Sequence, residues 1–187
     1  YVGELVDILK EKNLLKQSEG ALIVDLEEEG DKSPIAPIII KKSDNSNLYS
    51  TTDLATIIQR EKDFSPSGIW YVVDTRQELH FTQVFRCAKK AGLTSAKTEF
   101  LGFGTMNGKD GKPYKTREGG VMRLEDLLTT AKNAAKDKLN ASAYLSDASE
   151  KEKDSVAEKV GIAAIKFGDL INHRSKNYIF DLDKFLS

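Results

Sequence analysis

The segment YSTTD raises the first chemical question. Tyr49 and Asp53 stand four apart, which on a helix puts a phenol and a carboxylate on one face. A carboxylate offers a guanidinium two parallel acceptor oxygens, a geometry that gives both affinity and orientation. The plainer alternative is that Asp53 stabilises the first turn of a helix through the helix dipole while Tyr49 packs its ring. Spacing alone leaves both open. A second set, Gln77, His80 and Gln83, is spaced by threes and shares one face near a helix start, where unpaired N–H groups also attract anions. A surface histidine, or one whose hydrogen bonds are satisfied structurally, is the plainer reading of His80.

The third set lies in GKDGKPYKTREGG, residues 108–120. Between Thr105 and Arg123 the cations Lys109, Lys112, Lys115, Arg117 and Arg123 are opposed only by Asp110 and Glu118. Cations on a glycine-rich segment can approach a polyphosphate and stabilise charge developing there. A solvated surface loop is the alternative, and the spacing is not that of a P-loop. With two histidines and one cysteine there is no metal-site pattern. Nor is there a nucleophile–histidine arrangement.

The elements that would position these residues can be read from periodicity. Val2, Leu5, Val6 and Leu9 mark an amphipathic helix ending near Asn13. Two strand-like runs follow, ALIVDL (21–26) and APIIIKK (36–42), joined by a polar connection. A helix over 54–62 has Ser50, Thr51 or Thr52 available as N-cap. IWYVV (69–73) is a continuous apolar run and reads as a strand buried on both faces. A long helix over 77–90 carries Phe81, Val84, Phe85 and Ala88 on one side, with Gly92 as its stop. KTEFLGF (97–103) gives another strand, and helices follow over 124–138 and 156–172, separated by the charged segment SDASEKEKD. YIFDLDKFL closes the chain.

Strand–helix–strand alternation implies a βαβ unit. The expected fold is therefore α/β, with 36–42, 69–73 and 97–103 in one mainly parallel sheet flanked by helices. In open sheets of this kind ligands bind at the carboxyl ends of strands, which singles out Asp74–Gln77 and residues 102–120. Two segments are expected: 1–138 for the sheet-bearing part and 139–187 for a helical part.

The totals limit the class. The 187 residues are 40% apolar and 30% charged, a soluble globular balance. No run reaches the length of a membrane span. A net charge of −1 confines any nucleic-acid contact to a local patch. Cys87 has no partner for an internal disulfide, which fits a cytoplasmic setting, and it reads as a small buried helix residue. The chain starts at Tyr1 directly in a helical pattern, so it is expected to be part of a longer protein.

Five stretches, LYSTTDLA, DTRQELHFTQVF, GKDGKPYKTREGG, VGIAAIKFGDL and NHRSKNYIFDLD, together resemble the second half of the catalytic domain of arginyl-tRNA synthetases, which are class I aminoacyl-tRNA synthetases. The stretches occur in the family's order and cover nearly all of the chain. The resemblance implies a partial Rossmann-like, HUP-type sheet leading into a helical stem. It also implies ATP-dependent activation of arginine and transfer to the arginine tRNA. Tyr49, Asp53 and Gln77 match the arginine site, with Asp53 on the guanidinium. Asp74, His80, Gln83 and Phe103 fall on the nucleotide side. Lys112, Lys115, Thr116 and Arg117 stand in the family's version of the KMSKS loop, though not as a literal KMSKS. Mg²⁺ would accompany the ATP without a protein-held metal site.

The family's HIGH signature is expected upstream of Tyr1, and an anticodon-binding helical domain after Ser187. The implied partners are arginine, ATP, the arginine tRNA and those remaining parts. The 187 residues alone are expected to be inactive. A non-catalytic binding or scaffold module derived from the same fold is the alternative, although retention of Tyr49, Asp53, Gln77 and the loop cations together favours the ligase.

Overall fold

A computed structural model describes residues 1–112, 122–142, 145–181 and 184. Contacts divide the chain into two compact units, Tyr1–Gly102 and Phe103–Ser187. The sequence reading drew its division later, at 138/139.

The first unit opens with helix α1 (Val2–Glu11), which buries Leu5, Val6 and Leu9. Strands β1 (Leu15–Ser18) and β2 (Ala21–Val24) then form a hairpin with Ser18 opposite Ala21. Its two-residue loop, Glu19-Gly20, has positive φ at both positions, the combination that matches the twist of a tight hairpin. LKQS lacks an apolar alternation, and for that reason β1 is not visible in the hydrophobic pattern. Strand β3 (Ile38–Lys41) pairs antiparallel with β2. The expectation that 36–42 would share a sheet with 69–73 and 97–103 is therefore corrected: β3 completes an antiparallel sheet of order β1-β2-β3. No helix connects β2 to β3, and a parallel return would require such a crossover.

Helix α2 (Tyr49–Phe64) starts five residues before the expected 54. The N-cap is Leu48, not Ser50, Thr51 or Thr52. Those residues are occupied differently. Ser50 Oγ donates to the Ile39 carbonyl at 2.8 Å and Thr51 Oγ1 to the Ile40 carbonyl at 2.6 Å, tying the start of α2 to β3.

Strand β4 (Gly68–Asp74), helix α3 (Glu78–Ala91) and strand β5 (Lys97–Phe103) form the expected strand–helix–strand unit. β4 and β5 are hydrogen-bonded neighbours. They begin side by side, with Lys97 N–H donating to the Ser67 carbonyl at 3.1 Å, and α3 carries the chain from the end of one to the start of the other. The two strands thus run in the same direction. Gly92, at φ +59, ends α3, and Leu93 N–H returns to the Ala88 carbonyl at 2.9 Å.

The core of this unit joins Leu5, Leu9, Val24, Ile38, Ile40, Leu54, Ile57, Val84 and Cys87. Burial pushes the Cys87 thiol up to about 12, so it stays protonated as a small apolar residue. Only alternate residues of β4 enter the core. Ile69 and Tyr71 are buried, but Trp70 is 71% exposed and Val72 is exposed with it. The expectation of a strand covered on both faces is corrected on that side: within this chain one face of β4 is open.

The second unit contains the short strands β6 (Met106–Asn107) and β7 (Tyr178–Ile179), paired in parallel. Its main body is two helices, α4 (Leu124–Ala141) and α5 (Glu150–Leu170). α5 begins earlier than 156 because SDASEKEKD is not an interruption. Ser149 and Glu152 form a reciprocal capping box, and the charges after it form the first turns of the helix. Leu127 and Ala131 of α4 pack with Ile165 of α5 and Phe180. A side-chain carbon at Gly161 would lie 2.8 Å from backbone atoms of Ala131 and Lys132, so the two helices approach closely there. Salt bridges from Lys132 to Glu158 and from Lys136 to Asp154 flank that contact. No helix among the described residues is long and apolar enough to cross a membrane.

Candidate functional site

The tie between β3 and α2 decides where Tyr49 and Asp53 stand. With Leu48 as cap, Tyr49 is the first helical residue and Asp53 the fifth. Asp53 therefore lies beyond the first turn, where the helix dipole gives a carboxylate little. The dipole reading of Asp53 loses its basis. What engages Asp53 instead comes from another element. His80, at the start of α3, has Nε2 2.6 Å from Asp53 Oδ2. Both side chains are about a third exposed or less, at 28% for His80 and 33% for Asp53, so the pair is only partly screened by water.

The imidazole is held from its other side. It packs edge-on against Phe81 with ring centroids 4.9 Å apart and an interplanar angle of 81°. Phe81 belongs to an aromatic cluster with Tyr71, Phe85 and Phe100. Tyr71 accepts a hydrogen bond from Arg60 Nη1 at 3.0 Å. Burial raises the Tyr71 phenol above its ordinary value, and the Asp53 charge adds to that shift. Tyr71 and Arg60 thus form a bonded pair in the aromatic cluster beside His80. Neither was singled out from the sequence, because in IWYVV a tyrosine looks like any strand aromatic. The period-2 spacing of Ile69 and Tyr71 is the signal that would have placed its ring inward.

Tyr49, by contrast, is 88% exposed. It lines an open groove of about 660 Å³ together with Pro37, Ile39, Leu48, His80 and Gln83. Gln83 reaches across this region, its Nε2 donating to the Ala36 carbonyl at 2.8 Å. Gln77 is exposed at the N-cap of α3, one turn before His80. Asp74 closes β4 and is engaged locally: Arg76 donates to it from its backbone N–H at 2.8 Å and from Nε and Nη2 at 2.9 and 2.7 Å. Those bonds hold the Asp74 carboxyl down to about 2. The first unit therefore gathers His80 with Asp53 directly. Tyr49 is one turn from Asp53 on α2, and Gln77 and Gln83 flank His80 on α3.

Phe103 and Lys112 lie in the second unit. Phe103, at the end of β5, is exposed. Lys112 closes a turn in which its carbonyl accepts from Gly108 N–H at 2.8 Å, and its N–H donates to Asp110 Oδ1 at 3.1 Å. The remaining loop residues, Lys115, Thr116 and Arg117, lie outside the described residues. Among the described residues no group of three or more His, Cys, Asp or Glu side chains could hold a metal ion.

Comparison with known proteins places this geometry. Residues 1–182 match the family described as tRNA synthetases class I (R), catalytic domain. The chain is 53% identical over 189 residues to the arginine–tRNA ligase of Alkaliphilus oremlandii, an alignment covering all of this chain and 32% of that protein. It is 48% identical to the arginine–tRNA ligase of Hyphomonas neptunium, covering 98% of this chain and 32% of that protein. The chain thus spans about a third of the length of these relatives. Among solved structures, the arginyl-tRNA synthetase of Plasmodium falciparum superposes with a TM-score of 0.78 at 26% identity, covering 99% of this chain and 30% of that one. That of Thermus thermophilus gives 0.72 at 16% identity over 100% of this chain and 36% of its own, a likeness of fold.

Proposed function

Since the chain belongs to the class I (R) tRNA synthetase catalytic domain family, we propose that a protein carrying it is an arginine–tRNA ligase. In this reading the arginine carboxylate attacks the α-phosphate of ATP, giving arginyl-adenylate and pyrophosphate. A ribose hydroxyl of the terminal adenosine of the arginine tRNA then takes the arginyl group as an ester, and AMP leaves. The step needs no covalent enzyme intermediate, so the protein's work is positioning and charge stabilisation. Mg²⁺ arrives with ATP as part of that substrate, held by phosphates and water.

The observation that carries the reading is the placement of Asp53. It is a partly shielded carboxylate beyond the dipole-stabilised first turn, one helical turn from Tyr49 and braced by a second helix. A carboxylate in that setting supports recognition of a guanidinium better than it supports helix stability. Tyr49 bounds the side-chain site and Gln77 completes it. Asp74, His80, Gln83 and Phe103 are carried over by resemblance to the nucleotide side. Lys112, Lys115, Thr116 and Arg117 are carried over to the loop that closes on the triphosphate.

The test is made in a protein of the relatives' full length, supplied with the arginine tRNA. Asp53→Asn removes the charge and keeps the size, so arginine affinity by calorimetry falls roughly ten- to a hundredfold, with ATP affinity little changed. Lys115→Ala instead slows pyrophosphate exchange and leaves arginine binding intact. An Asp53→Asn protein that binds arginine normally and only melts earlier overturns the role of Asp53.

A further inference from the structure

His80 sits where α3 reaches α2 with a polar side chain opposite a carboxylate, and resemblance had put it with the nucleotide. Its Nε2 is 2.6 Å from Asp53 Oδ2, a short hydrogen bond. The ring packs edge-on against Phe81, itself buried in the core of the unit. A side chain packed against a buried ring and bonded to a recognition group has the features of a supporting residue. The bond also commits one of the two carboxylate oxygens and leaves Oδ1 as the one not committed to His80. Tyr71, in the aromatic cluster with Phe81, has its hydroxyl taken by Arg60.

We propose that His80 is a positioning residue for arginine recognition. It holds Asp53 Oδ2, fixes the rotation of the carboxylate, and presents Oδ1 to the substrate guanidinium. This deepens the ligase reading and rests on it. Arginine is then gripped mainly through one oxygen, with the second serving as the anchor that sets its direction. The grip depends on the packing of α3 against α2, which is what brings a side chain of α3 to a carboxylate of α2.

The measurement uses the full-length protein with arginine tRNA, comparing His80→Ala and His80→Gln with the parent. The glutamine amide can donate from nearly the position of Nε2. Loss of a bond to a charged group predicts that His80→Ala raises KM for arginine about tenfold or more. KM for ATP should stay within about twofold, since uniform loss of one substrate's binding leaves the other's untouched. His80→Gln restores most of the arginine KM. In an Asp53→Asn background, His80→Ala adds little, because the oxygen it orients no longer carries the charge. Calorimetric titration of arginine gives the same ordering without turnover.

A His80→Ala protein with a raised KM for ATP and normal arginine binding overturns the proposal in favour of the nucleotide side. Unchanged values for both substrates also overturn it. If His80→Ala does not fold, a His80→Gln protein with a strongly raised arginine KM and a normal melt overturns it equally. A parent protein with no arginine-dependent exchange at all fails the ligase reading itself, a result distinct from any of these.

Discussion

At the scale of single residues, two carboxylates show how position decides role. Asp53 faces a histidine from another helix, which itself packs against an aromatic cluster. Asp31, on the connection before β3, is held by both arms of Arg86, with Nη1 and Nη2 each 2.7 Å from a carboxylate oxygen. Arg86 also donates to the Leu26 carbonyl at 3.2 Å, so one side chain of α3 holds the connection at two points. This pair holds the Asp31 carboxyl down to about 2, against an ordinary value of 3.8. A group whose value is lowered by folding adds stability above its unfolded value and loses it as pH falls through the folded one. The melting temperature should therefore show an Asp31-dependent decline between about pH 4 and pH 2. Asp31→Asn should remove that part of the decline while lowering stability at neutral pH. A thermal melt series in which the variant and parent run parallel below pH 4 would exclude the pair as a source of acid sensitivity. The chemistry of these sites was legible in the sequence only as residue types. Tyr49, Asp53 and Gln77 could be named from their spacing and family likeness, but the bond from His80 to Asp53 spans 27 positions, and no local period encodes a contact between two helices.

At the scale of elements, the helices and the long strands were visible because each carries its own repeat of apolar positions. β5 spans 97–103 as its pattern implies, and α3 differs from the expected helix by one residue at each end. The ends went wrong where polar residues had a second use. Ser50 and Thr51 resemble caps but bond to β3, and the charges after Ser149 resemble a loop but begin α5. Sheet partnership was misjudged for β3 because an apolar run of four or five residues states that it is a strand, and not which neighbour it will find. The α4–α5 contact gives a direct test of element packing. Gly161→Ala places a carbon against the backbone of α4 and should destabilise the helix pair by about 1–3 kcal/mol, read by urea unfolding. Gly3→Ala on α1, where an added carbon meets nothing within 4 Å, should instead stabilise by about 0.5–1 kcal/mol. Equal effects of the two would mean that helix propensity and not close approach governs Gly161.

At the scale of the whole molecule, the division into two units falls within a strand that the sequence reading treated as internal to one segment. The α/β class and its family could be read in advance because five stretches in fixed order point the same way. The open face of β4 has its own consequence. Trp70 is the chain's single tryptophan, and it stands on that face and not in the core. The 187 residues therefore carry a built-in optical probe aimed outward. Excited at the indole band, the chain alone should emit at the wavelength of a water-exposed ring and be quenched readily by acrylamide. Any segment or molecule that seats on β4 should shift the emission to the blue and shield it from quencher, without a dye and without altering a residue. A blue, quencher-resistant emission from the chain alone would place the indole inside and close the face that the strand leaves open.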